Sequence, residues 1–134
     1  MAEFGRDGWN KGAVPDPQDP ATFERSRLDW AERDKDGHRE LLDWHRRLIA
    51  LRREHAELSD PRLADVSTSY DDDAGWLVLY RGRIAVAANL AQERAPVPLD
   101  GRPDGVLLSS ASGFVFRPNE IELEPDSVAI VTLA

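Results

Sequence analysis

The chain has 134 residues, 41% of them hydrophobic and 31% charged, with a net charge of -8 and no cysteine. These figures suit a soluble globular protein with room for one modest domain and some extra chain. They exclude disulfides, thiolate metal sites and cysteine nucleophiles, and an acidic excess spread along the whole chain argues against nucleic acid, which needs a basic stripe.

The first zone, Met1 to about Lys35, is rich in Pro, Asp and Gly. Pro15, Pro17 and Pro20 hold their preceding residues extended. Asp19-Pro20 is a helix start, with Asp as N-cap and Pro at the first helical position, so a short helix through Phe23 to Ser26 is expected. A stretch this long with so little regular structure is usually a functional loop or a tail.

The second zone is a helix over about Gly37 to Leu58. Leu41, Trp44, Leu48, Leu51, His55 and Leu58 step by three and four, and Leu42, His45 and Ile49 form an adjacent row. Together they make an apolar stripe wide enough for two partners. Asp34 and Asp36 at its start and Arg52 and Arg53 near its end suit the helix dipole. Ser59-Asp60-Pro61 stops it. Arg46, Arg47, Arg52 and Arg53 read as a solvated face.

In the third zone, Leu63 to Ala134, the period falls from 3.6 to 2. Strands are expected at Val66–Tyr70, Trp76–Arg81, Ile84–Leu90, Ala95–Leu99, Val106–Ser110, Phe114–Phe116, Ile121–Leu123 and Val128–Leu133. Trp76, Val78 and Tyr80 share one face, with Leu77 and Leu79 on the other. Asp72-Asp73-Ala74-Gly75 and Gly82 mark hairpins. The fold class expected is mainly β, a small antiparallel β-sandwich preceded by an irregular segment and one long helix.

A search for chemistry finds little. His38, His45 and His55 lack metal-ligand spacing, and His45 and His55 read as hydrogen-bonded core residues. Ser109-Ser110-Ala111-Ser112-Gly113 lacks a nucleophile elbow and reads as a strand end entering a turn. Neither a phosphate loop nor a dinucleotide fingerprint is present. Asp71, Asp72 and Asp73 sit on a hairpin tip, where adjacent side chains diverge into water, so no metal site is expected. Trp44 and Trp76 fit core positions, whereas Trp9 and Trp30, in the irregular zone, are candidates for a cleft. The N-terminus MAEFGRDGWNKG has no signal-peptide character. No apolar run approaches the ~20 residues that span a bilayer. A cytoplasmic protein without membrane or nucleic-acid partners is expected.

The segment VPDPQDPATFERSRLDW followed by LLDWHRRLIALRREH resembles the C-terminal region of the malto-oligosyltrehalose trehalohydrolases, glycosidases of the α-amylase superfamily. RIAVAANL, APVPL and IELEPDSVAIVTL are similar to late strands of the β-domain that closes such enzymes. The resemblance implies a parent chain with a catalytic (β/α)₈ barrel that carries all the catalytic carboxylates and would be this chain's partner. Residues 1–35 would then be the loop after the last barrel strand, residues 36–60 the last barrel helix and residues 61–134 the C-terminal sandwich. No catalytic residue transfers to this chain, no cofactor is implied, and malto-oligosaccharide substrate would meet it only through the parent. Gln18, Asp19 and Trp30 could border the parent's cleft; the plainer alternative is that Asp19 caps a helix and Trp30 packs under the loop. In this chain alone, the helix is expected to dock on the sandwich and Met1–Lys35 to be largely without order. A stand-alone carbohydrate-binding module, an acidic interaction domain, and the end of a branching or debranching relative are the competing readings.

Overall fold

A computed structural model describes residues 15–134. The chain divides into two compact units, Met1–Glu40 and Leu41–Ala134. In the first, α1 (Pro20–Ser26) and a 3₁₀ helix (Trp30–Asp34) precede α2 (His38–Glu54), which runs on into the second. The described part of Met1–Lys35 therefore carries more regular structure than expected. Its two helices bury no residue, so their order comes from capping rather than from packing.

α2 opens at Gly37, whose backbone N–H donates to the Glu40 carboxylate, half of the reciprocal pattern of a capping box. Asp36 instead pairs with Arg39 at 2.8 Å. The helix ends earlier than its apolar period suggests. His55 is extended (φ -111°, ψ 111°), and a single 3₁₀ turn, Ala56–Leu58, follows. Ser59 Oγ then donates to the Arg52 carbonyl at 2.6 Å, satisfying one of the open acceptors at the helix end. The turn keeps Leu58 in the apolar row that the α-helix itself no longer continues.

Eight strands follow: β1 (Val66–Asp71), β2 (Trp76–Arg81), β3 (Ile84–Asn89), β4 (Ala95–Pro98), β5 (Pro103–Ser109), β6 (Val115–Arg117), β7 (Glu120–Leu123) and β8 (Ser127–Leu133). They form two antiparallel sheets, ordered β1-β2-β3-β8-β5 and β4-β7-β6. This is the expected sandwich. The β2–β3 loop has two residues, and Gly82 (φ 58°) supplies the left-handed backbone that mirror-type hairpin turns demand. Asp71 closes the β1–β2 loop by accepting from the Gly75 N–H at 2.8 Å on its carbonyl and from the Ala74 N–H at 2.9 Å on its side chain.

The inner faces meet in one core. Val78, Tyr80, Ala85, Ala87, Ala129 and Val131 of the larger sheet pack with Val97, Leu99, Ile121 and Leu123 from the smaller sheet's side. Three alanines let the sheets approach closely. The alternation expected for β2 holds: Val78 and Tyr80 are buried, and Trp76 packs against the same core. Asn89 is the fully buried polar residue at the end of β3. Its amide donates to the carbonyls of Glu93 (2.8 Å), Leu123 (3.2 Å) and Glu124 (3.0 Å), and its oxygen accepts from the Ala91 N–H at 3.0 Å. It ties a strand end in one sheet to a strand end in the other.

A second core lies on the outer face of the larger sheet. Trp44, Leu48, Leu51 and Leu58 pack on Ile84, Val86, Leu108 and Ile130. Helix, sheet and sheet thus form three layers, with the helix docked as expected.

Candidate functional site

The three residues expected to border a cleft lie in the first unit. Asp16 makes an Asx turn, its carboxylate accepting from the Gln18 N–H at 2.9 Å. Asp19 accepts from the Ala21 N–H at 2.8 Å, with Pro20 at the first helical position. It is the N-cap of α1, as the plainer reading had it. Asp29 repeats the device for the next helix through the Ala31 N–H at 3.0 Å. Trp30 is 74% exposed and does not pack under the loop. Gln18 is likewise exposed. Asp16, Asp19 and Asp29 each serve the local backbone. Trp9 falls outside the described residues.

In the second unit the wide helix stripe divides. One side docks through Trp44, Leu48, Leu51 and Leu58. The other, Leu41, His45 and Ile49, stays exposed; Leu41 is at 56% and Ile49 at 52%. Leu41 therefore belongs with the second row rather than the first, because steps of four from 41 lead to 45 and 49 on one face. His45 is not a core histidine. Its Nδ1 lies 2.8 Å from the Leu41 carbonyl on the exposed side. His55 is half-buried. The arginines on the helix are exposed, as expected of a solvated face.

The strongest electrostatic features are structural joints. Asp60, just after the helix, takes a forked interaction from Arg62 Nε (3.0 Å) and Nη2 (2.6 Å) and accepts from the Arg62 backbone N–H at 2.9 Å. These bonds hold its carboxyl at about 2, against an ordinary 3.8. Arg81 donates to the Asp60 carbonyl and fastens the joint to β2. On the smaller sheet, Glu122 lies between Arg117 (2.7 Å) and Arg94 (3.3 Å), and the hydrogen bond from Arg117 does most to hold its carboxyl below the usual range. These partners account for the alternating Glu120, Glu122 and Glu124: each is salt-bridged across the exposed face. The serine run is a strand end, with Ser109 Oγ donating to the Ala111 carbonyl at 2.7 Å. Among the described residues no three His, Asp or Glu side chains converge as metal ligands, and no helix is long and apolar enough to cross a membrane, a finding silent on β-barrels.

One surface escaped the sequence reading. Tyr70 and Leu77 face each other across β1 and β2, and Tyr70 and Leu90 are 64% and 61% exposed. With Asp71, Asp72, Gly75 and Trp76 they line an open depression of about 450 Å³. The signal was present: Tyr70 pairs with Leu77, which lies on the face opposite Val78. What could not be read was which part of that face α2 leaves bare.

Comparison with known proteins supplies a context for these surfaces. The family model described as "Domain of unknown function (DUF3459)" matches residues 61–130. The chain is 43% identical over 131 residues to a malto-oligosyltrehalose trehalohydrolase of Rhizobium sp. (strain M-11), covering 98% of this chain and 22% of that protein. A protein of the same name from Brevibacterium helvolum is 42% identical over 131 residues with the same coverage. One from Mycobacterium tuberculosis is 39% identical over 132 residues, again across 98% and 22%. The chain thus spans about a fifth of the length of the curated relatives it matches.

Proposed function

The chain belongs to the DUF3459 family, and from that premise we propose that it is the C-terminal accessory domain of a malto-oligosyltrehalose trehalohydrolase. The parent hydrolyses the α-1,4 bond that joins trehalose to a malto-oligosaccharide, by the two-carboxylate route of retaining glycosidases. The observation that carries the reading is similarity over 98% of this chain to proteins bearing that name, of which it covers only 22%. A structural role follows from the local chemistry. The carboxylates with the most marked partners, Asp60 and Glu122, are committed to arginines that fasten the fold: Asp60 shares Arg62 with Asp65 in a depression that Glu57 also lines, and Glu122 lies between Arg117 and Arg94.

The divided stripe on α2 supports the same reading. A helix that docks one row on its own sandwich and leaves Leu41 and Ile49 bare has a second partner to meet. That partner is the catalytic barrel, with α2 as its last helix, residues 1–35 as the loop before it, and the domain boundary near Leu58 to Leu63. The parent works in the cytoplasm, and Gln18 and Trp30 reach the border of its cleft.

The test is a chimera. Residues 1–134 replace the matching segment of the Rhizobium relative, and trehalose release from malto-oligosyltrehalose is measured. The chimera should release trehalose, the relative lacking the segment should not, and the 134-residue chain alone should release none. Leu41→Asp with Ile49→Asp should lower the chimera's activity or its melting temperature while leaving the sandwich of the isolated chain folded. A folded chimera no more active than the truncated relative would sink the proposal.

A further inference from the structure

The outer face of the larger sheet is covered at one end and bare at the other. α2 covers Ile84, Val86, Leu108 and Ile130. Toward the β1–β2 turn the same face carries Tyr70 and its register partner Leu77, and Leu90 lies two residues past Ala88, which pairs with Leu77. Asp71 and Asp72, at the turn, line the same depression. Neither forms an ion pair among the described residues, in contrast to Asp60, Glu120, Glu122 and Glu124. Asp71 is held in place by the Ala74 N–H.

We infer that this depression is a binding site for a neutral oligosaccharide, an α-1,4-glucan chain. Its chemistry favours such a ligand over others. A sugar ring offers an apolar C–H face and a rim of hydroxyl donors. An exposed tyrosine ring with two leucines meets the first, and the carboxylates of Asp72 and of Asp71, whose Oδ1 alone is engaged by the turn, accept from the second. A tyrosine also loses little rotamer freedom on binding. A purely apolar protein surface would desolvate both carboxylates without giving them donors. An anionic ligand would be repelled by them. At about 450 Å³ the depression falls within the range, roughly 300–1,000 Å³, of small-molecule sites. The choice of an α-linked glucan rests on the trehalohydrolase reading; the choice of a neutral sugar does not.

The test is an amide NMR titration of the 134-residue chain with maltoheptaose, with cellohexaose and pentalysine run in parallel. Maltoheptaose should saturably shift the amides of Asp71, Asp72, Leu77 and Leu90, with affinity on the order of 1 mM. Tyr70→Ala should weaken binding about tenfold or more and leave the remaining spectrum in place, because Tyr70 is largely exposed on an edge strand. Tyr70→Phe should retain binding, since the ring rather than the hydroxyl carries the contact. Unmoved amides, undiminished binding by Tyr70→Ala, or shifts with pentalysine alone would overturn the site. Binding of cellohexaose without maltoheptaose would overturn the α-glucan assignment. Failure of every glucan, alongside a chimera that releases trehalose, removes this site and leaves the proposed function standing.

Discussion

Residues 15–40 and the sandwich are ordered by different means. In the first, side-chain hydrogen bonds among the described residues reach no further than the six residues from Thr22 to Asp16, and the two short helices bury nothing. In the second, Asn89 bridges to Leu123 and Glu124, and Arg83 Nε donates to the Leu133 carbonyl 50 residues away. A helix as short as α1 is marginal on its own in water, so Asp19 and Pro20 bear most of its stability. The sandwich rests on burial instead, and local changes there propagate through both sheets. The contrast marks the first region as one whose shape is written locally and the second as one that folds as a unit.

The sharpest way to break the comparison is to open the core. Ile121 is fully buried between the sheets, so Ile121→Ala should cost about 2–5 kcal/mol, read as a drop in urea midpoint, while the amide shifts of α1 stay in place. A loss under 0.5 kcal/mol would mean that the two sheets do not share one core. Asn89→Ala comes next. It strands the carbonyls of Glu93, Leu123 and Glu124 and the Ala91 N–H, and should cost about 1–3 kcal/mol. A neutral result by the same denaturation curve would show that water replaces the amide.

Asp19→Ala turns the comparison around. Removing the cap should lower the stability of α1 by about 1 kcal/mol, seen as lost helical carbon shifts at Ala21 to Ser26, with the denaturation midpoint of the sandwich unchanged. A shifted midpoint would show that the two regions are coupled.

The smallest expected effect concerns the joint at Asp60. Its carboxyl is held at about 2, first by the Arg62 side chain and then by the Arg62 backbone N–H. A folded-state value below the ordinary 3.8 means that the joint's contribution is complete above that value. It is lost as pH falls through about 2. Arg62→Ala should move the Asp60 titration, followed by its carboxyl carbon shift, back toward 3.8. Stability at neutral pH should change little, because Arg62 is exposed to solvent. An Asp60 titration unmoved by the substitution would assign the effect to the backbone N–H alone.

The sequence by itself determined the elements. Short apolar runs between turn residues placed all eight strands within a few residues, most plainly where a strand buries one face and its alternation records that choice, as in β2 and β7. Asp19-Pro20 announced α1, because capping is chemistry between neighbours. Tertiary structure decided how faces are shared. The stripe on α2 was visible as wide, yet only packing separated Trp44, Leu48, Leu51 and Leu58 from Leu41, His45 and Ile49, because the angle at which a helix crosses a sheet is set by the sheet's surface. Asn89 read as one more strand residue, and its role exists only where two sheet ends meet. Tyr70, Leu77 and Leu90 likewise became a surface only once α2 had covered the other end of their sheet. Spacing along the chain encodes which side of an element is apolar. What lies against that side depends on residues far away in sequence.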